Sequence, residues 1–330
     1  LLNDEKTVKK WKENIKKQIE KIFDKSKNII IIDNYDWLNK EKAISFLRDV
    51  GKYFTVPYML AKESIKIRLE AGISFTEFSY MILQSFDFYN LTKKYNCELQ
   101  IGGSDQWGNI TAGVDFIRKK LNKEVFGLSS PLVVQADGTK FGKTARGAIW
   151  LDPQLTSPYQ FYQFWINVDD RDVINYLKFF TFLSKTEIEN LAQKVKMQPE
   201  KREAQKTLAF EVTKIVHGHK EAQEAEKISQ ALFYNDIKSL NQKELETALQ
   251  DVPSYILKKA KKISLVDLLV KANISSSKRQ AREDIINKSI SINGKIMDKI
   301  EQIITPSFYL FGKYLVIRRG KKNYHLIIIK

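Results

Sequence analysis

The stretch that most limits what this chain can become runs from Ser74 to Asp87, with a glycine-rich turn shortly after it. Ser74 followed three residues later by Glu77 is a capping box, each side chain satisfying a free backbone N–H of the other, so a helix begins near Phe75. At about 100° per residue, Tyr80, Gln84 and Asp87 share one stripe, while Phe75, Phe78, Met81, Ile82, Phe86 and Phe88 take much of the remaining surface. A buried polar group without a partner costs on the order of 1–3 kcal/mol. Three on one line therefore need internal partners, a polar ligand, or simply water along a helix edge.

Beyond this helix, Cys97–Ile101 reads as a short strand ending in Gly102-Gly103-Ser104-Asp105-Gln106-Trp107-Gly108-Asn109, ahead of an apolar-periodic helix from about Ile110 to Leu121. Strand, glycine turn and helix form the crevice at the carboxyl end of an open parallel sheet, where α/β folds bind ligands. The glycines let a ligand approach the backbone, and Asp105 and Gln106 put an acceptor and an amide at the rim. Pro131–Gln135 reads as a second strand leading into Gly138-Thr139-Lys140-Phe141-Gly142-Lys143-Thr144. The phosphate-binding pattern G-x-x-x-x-G-K-[ST] does not fit, because the spacing between Gly138 and Gly142 is one residue short. Cations and a hydroxyl on a loop still suit clamping of a polyphosphate; a solvated basic loop is the plain alternative.

These strings resemble bacterial-type tyrosyl-tRNA synthetases, which are class I aminoacyl-tRNA synthetases. Phe46-Leu47-Arg48-Asp49-Val50-Gly51-Lys52, Gly72 to Tyr80 and Gly102 to Asn109 match that family nearly letter for letter, and Lys140-Phe141-Gly142-Lys143-Thr144 looks like its form of the KMSKS signature. The resemblance continues through Ser157 to Asn167 and on to the last residues. It implies an α/β fold: a partial Rossmann-like catalytic domain over residues 1–150, an α-helical tRNA-binding domain over 151–235, a linker over 236–262, and a small α+β RNA-binding domain over 263–330 like that of ribosomal small-subunit protein four.

By the same resemblance, ATP and L-tyrosine give tyrosyl-adenylate, and the tyrosyl group passes to tRNA(Tyr). Tyr80 and Gln84 match residues that hold the ammonium end of tyrosine, and Asp87 the carboxylate that accepts its phenolic hydroxyl. Gln100 and Gln106 match positions around the amino acid, Gly102 and Asp105 positions at the adenylate, and Lys140, Lys143 and Thr144 the loop that stabilises departing pyrophosphate. Mg²⁺ is expected with ATP. Phe75 and its neighbours match the family's dimer interface, plain core packing being the alternative. Where the family continues with Glu-Ser, this chain has Ala145-Arg146.

No HIGH-type motif occurs, nor the Gly-Asp-Pro-Ser-Gly segment of the family, so by analogy the front of the catalytic domain lies outside this sequence. A truncated paralogue that binds RNA without activating an amino acid is the alternative reading. His217-Gly218-His219 follows a helical stretch and is expected as a surface helix end; two histidines so placed make no metal site.

Charge sharpens the partner. The chain carries a net +16, and from Lys258 to Lys330 it holds 17 Lys and Arg against 5 Asp and Glu, so three quarters of the excess sits in under a quarter of the length. A phosphate backbone rewards such segregation through counterion release. Ser277 opens a helix carrying Lys278, Arg279 and Arg282, Asn293-Gly294 reads as a hairpin turn, and Arg318, Arg319, Lys321 and Lys322 form a second basic cluster. Cys97 is the only cysteine, which agrees with a cytoplasmic location. No apolar run approaches the roughly 20 residues of a membrane span.

Overall fold

The computed structural model describes residues 3–23, 28–139, 141–144, 147–250, 252–258, 262–320 and 323–330, with the side chains of Ser64, Lys143 and Thr144 left out. Lys140, Ala145, Arg146, Lys321 and Lys322 thus lie outside the described residues. The chain divides into two compact units, residues 26–141 and residues 1–25 with 142–330. Helix α1 (Glu5–Ile22), where Val8, Trp11, Ile15, Ile19 and Ile22 at helical spacing predict a helix over residues 4–23, belongs to the latter; Asp4 caps it by accepting from the Thr7 N–H.

The unit of residues 26–141 opens with a correction. Asn28–Asp33, whose four consecutive isoleucines bounded by Asn and Asp read as a buried strand, has no ladder partner among the described residues; Ile30 is 69% exposed and only Ile32 packs on the core. A run of isoleucines becomes a strand only where a neighbouring strand takes its backbone N–H and C=O groups. Short helices follow, α2 (Tyr35–Leu38), α3 (Ala43–Asp49), α4 (Val56–Leu60) and α5 (Glu63–Leu69). The long α6 (Phe75–Tyr95) begins where its capping box requires and ends at Asn96 in the left-handed conformation. Strand β1 (Leu99–Gly103) leads into α7 (Trp107–Leu121), and β2 (Phe126–Ser130) pairs with β1 in parallel, Leu99 opposite Phe126 and Gly103 opposite Ser130.

The second strand therefore lies five residues ahead of its expected place at Pro131–Gln135. Gly127 explains the misreading: a Cβ there would lie 2.5 Å from Ile110 Cγ2, so the strand passes under α7 only as glycine. Pro131, with no N–H to donate, follows directly after its last residue. The core of this unit joins α6 and α7 through Met81, Phe86, Phe88, Phe116 and Ile117, with Trp37, Val50 and Phe54 closing it. Lys120, at the end of α7, donates to the Asp49 carbonyl at 2.6 Å and sits among the rings of Tyr53, Tyr89 and Phe116, tying α3 to α7.

In the other unit, β3 (Lys143–Thr144) and β4 (Gly147–Ala148) pair antiparallel. A helical layer follows: α8 (Pro158–Ile166), α9 (Asp170–Phe180), α10 (Lys185–Met197), α11 (Glu203–His217) and α12 (His219–Phe233). Its aromatic residues mostly make core, with Phe161, Tyr162, Trp165 and Tyr176 buried, although Phe182 is 93% exposed. His217 corrects the expected surface helix end: it ends α11 but is only 4% exposed, edge-on to Phe161, with neither ring nitrogen hydrogen-bonded.

The stretch 236–262 carries α13 (Gln242–Ala248) and β5 (Ser254–Leu257). The tail adds β6 (Ile263–Ser264), α14 (Leu265–Lys271), α15 (Lys278–Ile286), β7 (Ile290–Ile292), β8 (Lys295–Ile296), β9 (Ile303–Ile304), β10 (Tyr314–Arg319) and β11 (Asn323–Ile329). Its main sheet has the order β5-β11-β10-β7-β8. One face, with Leu315, Ile317, Ile327 and Ile290, packs against Leu268, Leu269 and Ile285 of α14 and α15. The other, with Tyr314, Val316 and Leu326, packs against Ile228 and Leu232 of α12 and Leu245 of α13.

Candidate active site

The polar stripe of α6 is built into a network. Asp87 accepts from the Trp37 indole N–H at 2.7 Å and from Asn34 Nδ2 at 2.9 Å, one donor to each carboxylate oxygen. An ionised carboxylate offers about four acceptor sites, so two donors orient it and leave room for a hydroxyl. One turn earlier, Gln84 Oε1 accepts from Asn109 Nδ2 at 3.0 Å, and the same amide reaches Gln106 Oε1 at 3.3 Å. Gln106 Nε2 donates to Asp105 Oδ2 at 3.2 Å. Gln84, Asn109, Gln106 and Asp105 therefore form a chain from α6 to the glycine turn after β1.

Tyr80 stands at the start of the stripe, 54% exposed. Gln100, on β1, has a buried side-chain carbonyl oxygen with no hydrogen-bond donor, an acceptor left over by the fold. The glycines of the turn make the approach possible: a Cβ on Gly102 would stand 3.0 Å from Gln106 Cβ, and one on Gly103 would stand 2.7 Å from Asp105 Oδ1. The structure thus brings Gln84, Asp87, Gly102, Asp105 and Gln106 onto one connected set of elements, with Tyr80 and Gln100 on the same helix and strand.

Asn34, Trp37 and Asn109 were not singled out from sequence as site residues. Asn34 and Trp37 lie 53 and 50 positions from their partner, and nothing local pairs them with it. For Asn109 a signal existed: it closes the glycine-rich string, three residues after Gln106 on the following helix. Of the lysine loop, Lys143 and Thr144 are seen as backbone in β3, and Lys140 lies outside the described residues. Before them, Gln135 to Thr139 form a tight turn closed by Gln135 N–H to the Thr139 carbonyl at 2.9 Å, with Asp137 accepting from Thr139 N–H and hydroxyl. Among the described residues no group of three or more His, Cys, Asp or Glu could hold a metal ion, and no helix is long and apolar enough to cross a membrane.

The basic tail is less uniform than its composition. Lys278 pairs with Asp267 at 2.8 Å, which holds that carboxyl below its usual range together with the Ser264 hydroxyl. Arg279 pairs with Glu283 at 3.1 Å one turn along α15, and Arg282 is exposed beside them. Arg318 stacks over the Tyr324 ring at 5.9 Å, with Nε buried and without an acceptor. Arg319 makes three contacts: Nε to Asp284 Oδ2 at 3.0 Å, Nη2 to Asp284 Oδ1 at 3.1 Å, and Nη1 to the Ile274 carbonyl at 2.8 Å. Ser275 and Gln280 also donate to Asp284, which is only 7% exposed. Lys321 lies outside the described residues.

Residues 1–234 match the family described as tRNA synthetases class I (W and Y), and residues 244–327 match the tyrosine–tRNA ligase SYY-like C-terminal domain. Tyrosine–tRNA ligase 1 of Bacillus licheniformis is 54% identical over 333 residues, covering 100% of this chain and 79% of the relative. Tyrosine–tRNA ligase of Geobacillus stearothermophilus is 56% identical over 330 residues, covering 99% of this chain and 78% of the relative. Among solved structures, a C-terminally truncated mitochondrial tyrosyl-tRNA synthetase of Aspergillus nidulans aligns with a TM-score of 0.55 at 31% identity, covering 66% of each chain. With a family match over more than half its length and relatives above half identity across nearly all of it, the chain belongs to the tyrosine–tRNA ligase family of class I tRNA synthetases.

Proposed function

We propose that this chain performs the tyrosine–tRNA ligase reaction, and the observation that carries the reading is the Asp87 carboxylate, oriented by Trp37 and Asn34 on the same helical stripe as Tyr80 and Gln84. The phenolic hydroxyl of tyrosine donates to Asp87, while Tyr80 and Gln84 take the ammonium end, with Gln100 and Gln106 completing the polar surround. A tyrosine carboxylate oxygen attacks the α-phosphorus of ATP in line; the bond to the bridging oxygen breaks and pyrophosphate leaves. Lys140, Lys143 and Thr144 meet the charge that develops on it, and Gly102 and Asp105 hold the adenylate. A ribose hydroxyl at the end of tRNA(Tyr) then attacks the acyl carbon and AMP departs. None of these side chains is a nucleophile. The rate comes from positioning and from donors aimed at developing charge.

Mg²⁺ enters this reading with the phosphates of ATP; the described residues form no cage for it, and no step is assigned to it. The tail grips the RNA backbone, Lys278, Arg279, Arg282, Arg318, Arg319 and Lys321 being the candidates. A cytoplasmic homodimer with Phe75 at its interface completes the proposal, supported by the exposure of Phe75 at the start of α6. An RNA-binding paralogue without amino-acid activation is less favoured, because the polar stripe and glycine turn are intact and hydrogen-bonded to each other. The deciding experiment is tyrosine-dependent exchange of pyrophosphate into ATP by this polypeptide beside one extended at its N-terminus. Exchange by either supports the ligase, and tRNA binding with no exchange by both sinks it.

A further inference from the structure

One side of α1 borders a cleft that the ligase reading does not use. At about 100° per residue, Asn14, Lys17, Gln18 and Lys21 share one face of this helix, and all four line a cleft of about 200 Å³. Leu151 and Pro153, just after β4, and Val216, in the last turn of α11, complete a largely apolar lining within one compact unit. Two ammonium groups therefore stand one helical turn apart beside an apolar hollow.

Those two lysines are unusual on their helix. Lys12 and Lys16 pair with Glu13 and Glu20, whereas Lys17 and Lys21 have no carboxylate partner among the described residues. Like charges at that spacing repel. The one carboxylate of the lining, Asp152, accepts from the Gln154 N–H at 2.9 Å to cap its own turn, so the cleft keeps a net positive charge. His217 lies next to Val216, only 4% exposed, with neither ring nitrogen hydrogen-bonded. Burial first, and then the charge of Lys21, lowers its pKa, with Glu221 opposing. Lys21 thus borders the cleft and also acts on a buried imidazole.

Drug-sized ligands take about 300–1,000 Å³, so this hollow is small for a nucleotide. The apolar lining rewards a hydrocarbon body, and paired ammonium groups reward a carboxylate. The geometry points to the cleft between α1, the segment after β4 and α11 as a binding site for a small carboxylate with an apolar body, such as a medium-chain fatty acid. It uses no residue of the α6 stripe or the glycine turn, and stands whether or not the chain activates tyrosine. An occupant bridges three segments far apart in sequence, so its binding stabilises their unit by mass action.

The test is titration of the full polypeptide with butyrate, octanoate and inorganic phosphate, followed by NMR of the histidine rings and by thermal melting. Octanoate should bind saturably with a Kd of about 1 mM or below. It should raise the melting temperature and shift the ring signals of His217, while those of His325, on β11, stay in place. Lengthening butyrate to octanoate should tighten binding at least ~10-fold. Lys17→Gln with Lys21→Gln, which alters only exposed side chains, should weaken octanoate by ~10-fold or more. Lys6→Gln with Lys9→Gln, the same charge change outside the lining, should leave it within about twofold of the parent. Inorganic phosphate held as tightly as octanoate would overturn the inference by reducing the site to a basic surface. Octanoate affinity indifferent to the Lys17 and Lys21 changes would overturn it too, as would His217 signals that do not move.

Discussion

The indole N–H of Trp37 donates to Oδ1 of Asp87 at 2.7 Å, so a buried tryptophan from α2 holds the carboxylate at the foot of the polar stripe. Under the proposed function, selectivity for a hydroxylated ring depends on two residues beside the acceptor as well as on the acceptor itself.

Trp37→Phe keeps an aromatic ring in the core and removes the donor. A hydrogen bond to a charged group is worth about 1.5–3 kcal/mol, so the preference for tyrosine over phenylalanine in kcat/KM for pyrophosphate exchange should fall by roughly tenfold or more. Asn34→Ala should act in the same direction, and Asp87→Ala should abolish most of the preference. Unchanged discrimination in Asp87→Ala would remove that residue from its role.

Two arginines of the tail should behave oppositely. Arg319→Ala leaves Asp284 buried among its other donors without its cation, and should cost about 2–4 kcal/mol in chemical denaturation, the partial exposure of the arginine trimming the usual cost of breaking a buried pair. Arg282→Ala, on an exposed position of α15, should leave stability unchanged and lower the slope of log K for tRNA against log salt by roughly one.

Acid should weaken the helical layer through His217. Burial, with Lys21 as a lesser cause, lowers its pKa from 6.5 to about 4. Between those values the unfolded chain binds a proton that the folded chain refuses, so stability held above about pH 6.5 is lost as pH falls toward about 4. Melting temperatures from pH 7.5 downward should show this decline, and His217→Leu should flatten it.

Gly127→Ala should destabilise the unit of residues 26–141 by about 1–3 kcal/mol, the usual cost of forcing a methyl into a filled core. Combining it with Ile110→Ala should recover part of the loss, and a double-mutant cycle on thermal unfolding would give the coupling between the two positions.

What the sequence displayed and what it hid follow from the range of the forces involved. The Ser74–Glu77 box spans three residues, so α6 and the spacing of Tyr80, Gln84 and Asp87 were readable locally, as was the Asn293-Gly294 turn. Strand β2 was misplaced because Gly127, Ser129 and Ser130 look like a turn, and only the underside of α7 explains the glycine. Asn28–Asp33 has the letters of a strand but no strand to pair with among the described residues. The burial of His217 comes from Phe161, 56 positions away, and the donors to Asp87 are as distant; contacts of that kind leave no mark in spacing.

The ion pairs of the tail have a consequence for how strongly it meets a polyanion. Lys278, Arg279 and Arg319 already face carboxylates of their own chain. An incoming strand must either compete with those anions or lie against the cations that remain. The effective valence of this surface is therefore lower than its amino-acid inventory.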